Sequence, residues 1–401
     1  MRRRRKQGIT QPVSGGLSNR LMVCEDDVFM FNRVLILSAS VGNGHTIAAE
    51  SLKRAFQING LAGEVRHEDT LNFTNPLFRR LYGKAYIDLV NSAPEVLGWM
   101  YDQLDEPWKN EKRRLFFDKL NTQPFVKMVR DYAPDWIVCT HFLPSEIISD
   151  LKAKGKLDCP QAIVVTDFDM HALWLCRNFE HYFVALDETR AYLETLDFPG
   201  EKITVSGIPI DPVFSETKPK DAMREKYGLD RSMPTIILSL GGFGVGRMDT
   251  LLESLRVIRR PAQILAMCGR NEELKKKLES SASSDSPVRI IPVGYTKAMD
   301  EYMSASDLIV GKPGGLTTCE ALAKGLVFVI VNPIPGQEER NSDHLLENGA
   351  AIRSNNPATL GFKIEQLLEN PEKLKTMRRN ALDFARPRAA FDIADKVAKF
   401  A

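Results

Sequence analysis

Three loops carry side chains whose type and spacing suit group transfer. His45 closes the run Ser38-Ala39-Ser40-Val41-Gly42-Asn43-Gly44-His45. An imidazole where such a loop enters a helix can take a proton from a hydroxyl near neutral pH, although a lone loop histidine also commonly serves structure. Glu320 lies in Gly311-Lys312-Pro313-Gly314-Gly315-Leu316-Thr317-Thr318-Cys319-Glu320. There, paired glycines admit a ligand close to the backbone, and a helix starting near Leu316 offers free N–H groups and a positive dipole end. A carboxylate one turn into that helix would accept hydrogen bonds from sugar hydroxyls, so the stretch suits a nucleotide diphosphate. The third loop is Thr166-Asp167-Phe168-Asp169-Met170-His171-Ala172-Leu173-Trp174. In it Asp167 and His171 would orient an acceptor or assist the base, unless Asp167 only caps a turn.

Three further loops add polar or backbone groups. Gly241-Gly242-Phe243-Gly244-Val245-Gly246 packs its glycines densely enough to form a backbone nest for phosphate oxygens, but no Gly-Lys-Ser/Thr follows, so it is not a P-loop. Gly294-Tyr295-Thr296 offers backbone groups to a base edge, and Pro335-Gly336-Gln337-Glu338 brings polar groups suited to a polyhydroxylated ligand. The Gly42-x-Gly44 spacing has Ile47 where a dinucleotide fingerprint needs its third glycine, which disfavours a nicotinamide enzyme.

Every one of these loops follows a short apolar run, the arrangement of ligand loops at the carboxyl edge of a parallel sheet. Val34–Leu37, 64–70, Asp135–Cys139, Gln161–Val165, His181–Ala185 and Ile203–Gly207 read as strands of a first α/β half. Thr235–Leu240, Ala262–Met267, Val288–Val293, Asp307–Val310 and Val327–Val331 read as strands of a second. Helical spacing covers 48–56, 145–151, 248–258 and 299–304, and a terminal amphipathic helix places Phe391, Ile393, Ala394, Val397 and Phe400 on one side. The proline-rich passage Ile208–Lys220 reads as the linker between the halves.

Composition narrows the class. A chain of 401 residues exceeds what one core usually serves, so two domains are expected, and 43% hydrophobic with 26% charged residues is ordinary for a globular protein. A net charge of +2 gives no ground for nucleic-acid binding. The six cysteines have neither metal-ligand nor disulfide-framework spacing, which points to a reducing, cytoplasmic setting and to no bound metal. No apolar run reaches the roughly 18–20 residues that span a bilayer. Residues 1–31, opening Met1-Arg2-Arg3-Arg4-Arg5-Lys6, read as a flexible basic arm that an anionic lipid surface would attract, or equally as a merely disordered or wrongly assigned start. Within 73–120, aromatic and cationic residues such as Phe78, Arg79, Trp99, Tyr101, Trp108, Arg113 and Phe116 interleave as in an interfacial membrane contact, although nearby acids almost cancel the charge.

Taken together, Gly42-Asn43-Gly44-His45, Thr166-Asp167 with His171 and Trp174, Gly207-Ile208-Pro209-Ile210, the 241–246 loop, Lys312-Pro313-Gly314-Gly315-Leu316-Thr317 with Glu320, and Pro335-Gly336-Gln337-Glu338 resemble glycosyltransferase family 28. More narrowly, residues 32–385 resemble the branch of monogalactosyldiacylglycerol synthases and processive diacylglycerol glucosyltransferases. The resemblance implies a GT-B fold, two Rossmann-like α/β domains facing across a cleft. It also implies inverting transfer of a hexose from UDP-glucose or UDP-galactose to diacylglycerol by a peripheral enzyme on the inner face of the cell membrane. Residues 32–212 would bind the acceptor, 213–385 the UDP-sugar, and 386–401 would pack back on the body. His45 would be the base. On the donor side Glu320 would hold the ribose, Tyr295 and Thr296 would lie beside uracil, and Gly242, Gly244, Gly314, Gly315 and Leu316 would meet the diphosphate. Gln337 and Glu338 would bind the transferred sugar, while Gly44, Asp167, His171 and Trp174 would line the acceptor side. No cofactor is implied, the UDP-sugar being a substrate. Phe243 departs from the run of three glycines common in the plant enzymes, and the basic arm has no counterpart in the pattern. A polyprenyl-lipid glycosyltransferase, a UDP-sugar epimerase and a non-catalytic nucleotide-sugar sensor would share much of this sequence.

Overall fold

A computed structural model describes residues 30–40, 42–74, 92–109, 123–240, 248–280 and 286–401. The first half supplies β1 (Phe31–Ser38), β2 (Ala62–Asp69), β3 (Trp136–Cys139), β4 (Gln161–Val164), β5 (His181–Val184) and β6 (Ile203–Val205). These form one parallel sheet in the order β2-β1-β3-β4-β5-β6. The second half supplies β7 (Thr235–Ser239), β8 (Ala262–Gly269), β9 (Val288–Gly294), β10 (Leu308–Gly311), β11 (Val327–Val331) and β12 (Ala351–Ser354), arranged in parallel as β12-β11-β10-β7-β8-β9.

The strands are short, and the central ones are apolar on both sides because helices cover both faces of each sheet. Val34 through Leu37 in β1 and Val327 through Val331 in β11 are wholly buried. The strand order of each sheet reverses once, between β1 and β3 in the first and between β7 and β10 in the second. Loops leaving the carboxyl ends of such neighbouring strands diverge and open a crevice, which is where open α/β sheets bind ligands. His45 therefore stands at the reversal point of one sheet, and Gly314 at that of the other.

The halves touch closely. Ala48 and Phe168 of the first join Ile208, Ile210, Phe214, Leu316 and Leu345 in one apolar core, and the Phe168 and Phe384 rings stack at 5.8 Å. The passage Ile208–Lys220, expected as a linker, thus contributes buried side chains, a short 3-10 turn at Pro212–Ser215 and the first residue of the helix Lys220–Lys226. The terminal helix Ala389–Ala398 returns to the first sheet, burying Ala390, Ile393, Ala394 and Val397 against Leu52 and Phe56 of the helix Gly44–Ile58. No helix among the described residues is long and apolar enough to cross a membrane.

Two features differ from the sequence reading. β12 was not foreseen. Its four residues Ala351–Ser354 lie at the sheet edge with Ile352 and Arg353 only half-buried, so no apolar run announces it. β1 also opens at Phe31, one residue inside the span read as an arm. Most of that arm, the 241–247 glycine loop, and 75–91 and 110–122 of the aromatic segment lie outside the described residues.

Candidate active site

His45 opens the helix Gly44–Ile58 and reaches back to the neighbouring strand's loop. Its Nδ1 lies 3.0 Å from the Thr140 carbonyl oxygen, just beyond β3, and 2.7 Å from Thr166 Oγ1, just beyond β4. A carbonyl only accepts, so Nδ1 carries the proton and Nε2 keeps a free lone pair. Thr140 makes the clasp reciprocal, since its hydroxyl donates to the His45 carbonyl at 2.9 Å. The imidazole packs edge-on against His141 at 4.5 Å and near Trp174 at 6.2 Å. Burial pushes its pKa down to about 4, with the Thr140 hydrogen bond opposing, so the ring is neutral at physiological pH. A neutral imidazole with one fixed tautomer is the form a general base requires.

Asp167, buried two residues past Val165, accepts from Trp174 Nε1 through Oδ2 at 3.0 Å and from Gln337 Nε2 of the second domain through Oδ1. Burial raises its carboxyl to about 7; the Trp174 bond opposes this and Asp169 adds to it. His171 is buried with both ring nitrogens engaged: Nδ1 accepts from Leu173 N at 3.0 Å and Nε2 donates to the Tyr101 carbonyl at 2.9 Å. It fixes a turn and a neighbouring helix and offers no ring nitrogen as a base.

Across the cleft, the helix Gly315–Ala323 starts with Gly314 as its cap residue and has no side-chain cap. Its first N–H groups keep their donor capacity and the positive dipole end. A side chain at Gly315 would stand 2.6 Å from the Thr166 carbonyl oxygen, so only glycine lets this helix end approach the first domain so closely. A Cβ at Gly44 would lie 3.6 Å from the Leu316 side chain. Two helix N-termini, one beginning at Gly44 and one at Gly315, therefore face the same cleft.

Glu320 sits half-buried one turn into the second helix, and its carboxyl has no hydrogen-bond or ion-pair partner among the described residues. Burial lifts its pKa to about 8, with Asp211 and Asp300 adding to the rise. Glu338 lies beside Gly314, where a Cβ would be 3.7 Å from its Oε1, and it accepts from Ile334 N at 2.7 Å. Burial raises its pKa, against the backbone bond and the nearby Lys312. Gln337 begins the helix Gln337–Glu347, its side chain engaged by Asp167. Tyr295 and Thr296 follow the edge strand β9, with β7 and β8 between them and β10. Tyr295 is exposed beneath the Arg270 guanidinium at 5.2 Å, and Thr296 Oγ1 accepts from Ala298 N at 3.0 Å. Gly242 and Gly244 lie outside the described residues.

The structure thus gathers Gly44, His45, Asp167, Trp174, Gly314, Gly315, Leu316, Gln337 and Glu338 around one cleft. It sets Tyr295 and Thr296 beyond the edge strand of the second sheet and gives His171 a framework part. Sequence reasoning did not single out Thr140, Thr166 or Asn341 for a role. Asn341 joins the two domains, donating to the Pro313 carbonyl at 2.9 Å and accepting from Phe168 N at 3.4 Å. The polar run Gln337–Asn341 was the only signal for it.

Comparison with known proteins divides the chain at the same place as the two sheets. Residues 45–210 match the monogalactosyldiacylglycerol (MGDG) synthase family, and residues 220–384 match glycosyl transferases group 1. A processive diacylglycerol beta-glucosyltransferase of Bacillus pumilus is 28% identical over 349 residues, which is 87% of this chain and 90% of that one. Another, of Staphylococcus epidermidis, is 29% identical over 88% of each chain. Among solved structures, Acinetobacter baumannii MurG superposes with a TM-score of 0.61 at 19% identity, over 92% of this chain and 99% of that one. That likeness shows the fold to be GT-B.

Proposed function

The chain belongs to glycosyltransferase family 28, in the branch of monogalactosyldiacylglycerol synthases and processive diacylglycerol glucosyltransferases, and on that premise we propose that it transfers a hexose with inversion from a UDP-sugar to diacylglycerol, giving a β-glycosyl diacylglycerol. UDP-glucose is the donor best supported, because the two relatives compared above are named as glucosyltransferases; UDP-galactose is the other candidate.

The observation that carries the reading is the neutral His45, its Nδ1–H held by Thr140, opposite the uncapped helix end at Gly314–Leu316. In the proposed step His45 Nε2 takes the proton of the acceptor hydroxyl. The hydroxyl oxygen forms a bond to the anomeric carbon, and the bond from that carbon to the diphosphate oxygen breaks on the opposite face. UDP leaves with the electron pair, and the N–H groups at Gly315 and Leu316 stabilise its charge. Glu320 accepts from the ribose hydroxyls, Tyr295 and Thr296 border the uracil, and Gln337 and Glu338 contact the hexose. Gly44, Asp167 and Trp174 border the acceptor. The reading assigns no resident metal or cofactor, because the fixed backbone dipoles supply the charge stabilisation.

Diacylglycerol resides in a bilayer, so the enzyme meets it at a surface. The helix Pro94–Leu104 exposes Val96, Trp99, Met100 and Leu104, and Trp99 is 63% accessible. Aromatic and aliphatic side chains on one helix arc suit the interfacial region, and the basic residues Arg2–Lys6 favour an anionic membrane, the inner face of the cell membrane.

The test is UDP release from UDP-glucose and UDP-galactose by the full chain, on anionic vesicles with and without diacylglycerol. Diacylglycerol-dependent release with a glycolipid product, abolished in His45→Ala, is expected. Release that ignores diacylglycerol, or that survives His45→Ala undiminished, would overturn the reading.

A further inference from the structure

The helix Pro94–Leu104 precedes β3 in the chain, yet its buried face rests on the second domain's sugar-side loop. A Cβ at Gly98 would stand 2.7 Å from Pro335 Cβ, so the helix backbone lies directly on that proline. One turn on, the Tyr101 ring covers Gly336, where a Cβ would be 2.9 Å from the ring and where φ is +91°, a conformation side-chain-bearing residues rarely adopt. Arg340 lies 5.2 Å from the Tyr101 ring centroid. Its guanidinium also bonds Asp105 at 2.7 Å and Asp169 at 3.4 Å.

The same helix also holds the acceptor-side loop. The Tyr101 carbonyl accepts from His171 Nε2, the Tyr101 and His171 rings lie 4.0 Å apart, and Asp105 Oδ1 accepts from Ala172 N at 2.8 Å. That turn carries Trp174, which holds Asp167, and Asp167 holds Gln337. The chain of contacts runs from helix to Pro335-Gly336, and again from helix through His171 and Asp167 to Gln337. Both routes end on the loop Pro335–Gln337, which leads into the residues placed beside the transferred hexose. The outer face of this helix, opposite Gly98 and Tyr101, carries the apolar Val96, Trp99, Met100 and Leu104 around the exposed, uncharged Gln103.

Resting on the lipid-acceptor reading above, we infer that the helix Pro94–Leu104 is a strut that couples a bilayer surface to the donor site, with Tyr101 the positioning residue that sets the Pro335–Gln337 loop from the acceptor domain. Seating the apolar arc in the interface fixes the helix. A fixed helix fixes the sugar loop, and by linkage each ligand then strengthens the binding of the other. The bilayer acts here as a surface, independently of whether it contains the acceptor.

The experiment measures the Kd of UDP-glucose for the full chain without vesicles and with saturating phosphatidylglycerol–phosphatidylcholine vesicles that lack diacylglycerol. Vesicles are expected to tighten binding about fivefold or more, the lower range of ordinary coupling. Tyr101→Phe keeps the ring and retains the effect. Tyr101→Ala still binds vesicles but loses the tightening, and its KM for UDP-glucose rises while its vesicle affinity stays. Trp99→Ala, on the outer arc, needs more vesicles to reach the same tightening. An unchanged Kd in the unmodified chain would overturn the inference without needing any variant, and so would full tightening in Tyr101→Ala. Because no acceptor is present, these outcomes are independent of whether diacylglycerol is the substrate.

Discussion

The two reversal points both carry a helix end without a side-chain cap, yet they hold their functional side chains differently. Around His45 the groups that orient the base are held within the protein: Nδ1 by Thr140 and Thr166, the main chain by the Thr140 hydroxyl, and Asp167 by Trp174 and Gln337. Around Gly314 the carboxylate is left open: Glu320 makes no side-chain hydrogen bond or ion pair among the described residues, beside a helix end that, like the one at His45, has no side-chain cap. The first arrangement fixes one proton in one place. The second leaves donors and an acceptor for a molecule that brings its own oxygens and hydroxyls. One side of the cleft is finished as a base before any substrate arrives, and the other is completed by what binds there.

The sharpest way to break this contrast is to remove the base. His45→Ala should lower kcat by about 100- to 10,000-fold while leaving the Kd of UDP within a factor of about two, read by steady-state rates beside calorimetry. A large loss of UDP affinity would mean that the two edges are not separate. Next in size, Glu320→Gln should weaken UDP binding about tenfold or more, as loss of hydrogen bonds to a charged group does. Glu320 also has a proton signature. Its pKa of about 8 leaves it mostly protonated at pH 7, and hydroxyl donors favour the ionised form. UDP binding at pH 7 should therefore release a proton, seen as a buffer-dependent binding enthalpy, which fades above pH 9 and is absent in Glu320→Gln.

A smaller effect sharpens the picture of the finished side. Thr166→Val removes one of the two oxygens facing His45 Nδ1 and should cost about fivefold in kcat, the worth of roughly 1 kcal/mol, with KM for the donor unchanged. The stability profile separates the edges as well. His45 has its folded pKa below the usual 6.5, so its contribution is intact above 6.5 and is lost as pH falls towards 4. Glu320 has its folded pKa raised from 4.5 to about 8, so stability falls as pH rises across that window. Urea denaturation of His45→Gln should show a shallower acid loss, and Glu320→Gln a shallower alkaline one.

The strands and glycine turns were legible because each is a local signal. Val34–Leu37, all branched aliphatic, and Val327–Val331, branched aliphatic apart from Phe328, are apolar runs bounded by glycine or polar loops, which is what a strand buried on both faces demands. β12 was not, since an edge strand of four residues owes its conformation to pairing with β11. His45 was visible as a loop histidine, but its tautomer depends on a carbonyl 95 positions away. His171 looked like a candidate acceptor contact, and the fold gave both its ring nitrogens other partners.

The sequence by itself determined the two α/β halves, their loops and the kinds of group those loops carry, because strand burial, helix periodicity and glycine turns are set within a dozen neighbouring residues. The tertiary structure alone decided which groups are satisfied and which are left open. Whether Glu320 stays unpaired, whether Asp167 meets Gln337 170 positions later, and whether Tyr101 reaches Gly336 depend on how two separately folded sheets come together. Pairings between parts of the chain that far apart leave no local periodicity to read, since contact distance, burial and pKa are properties of the assembled cleft.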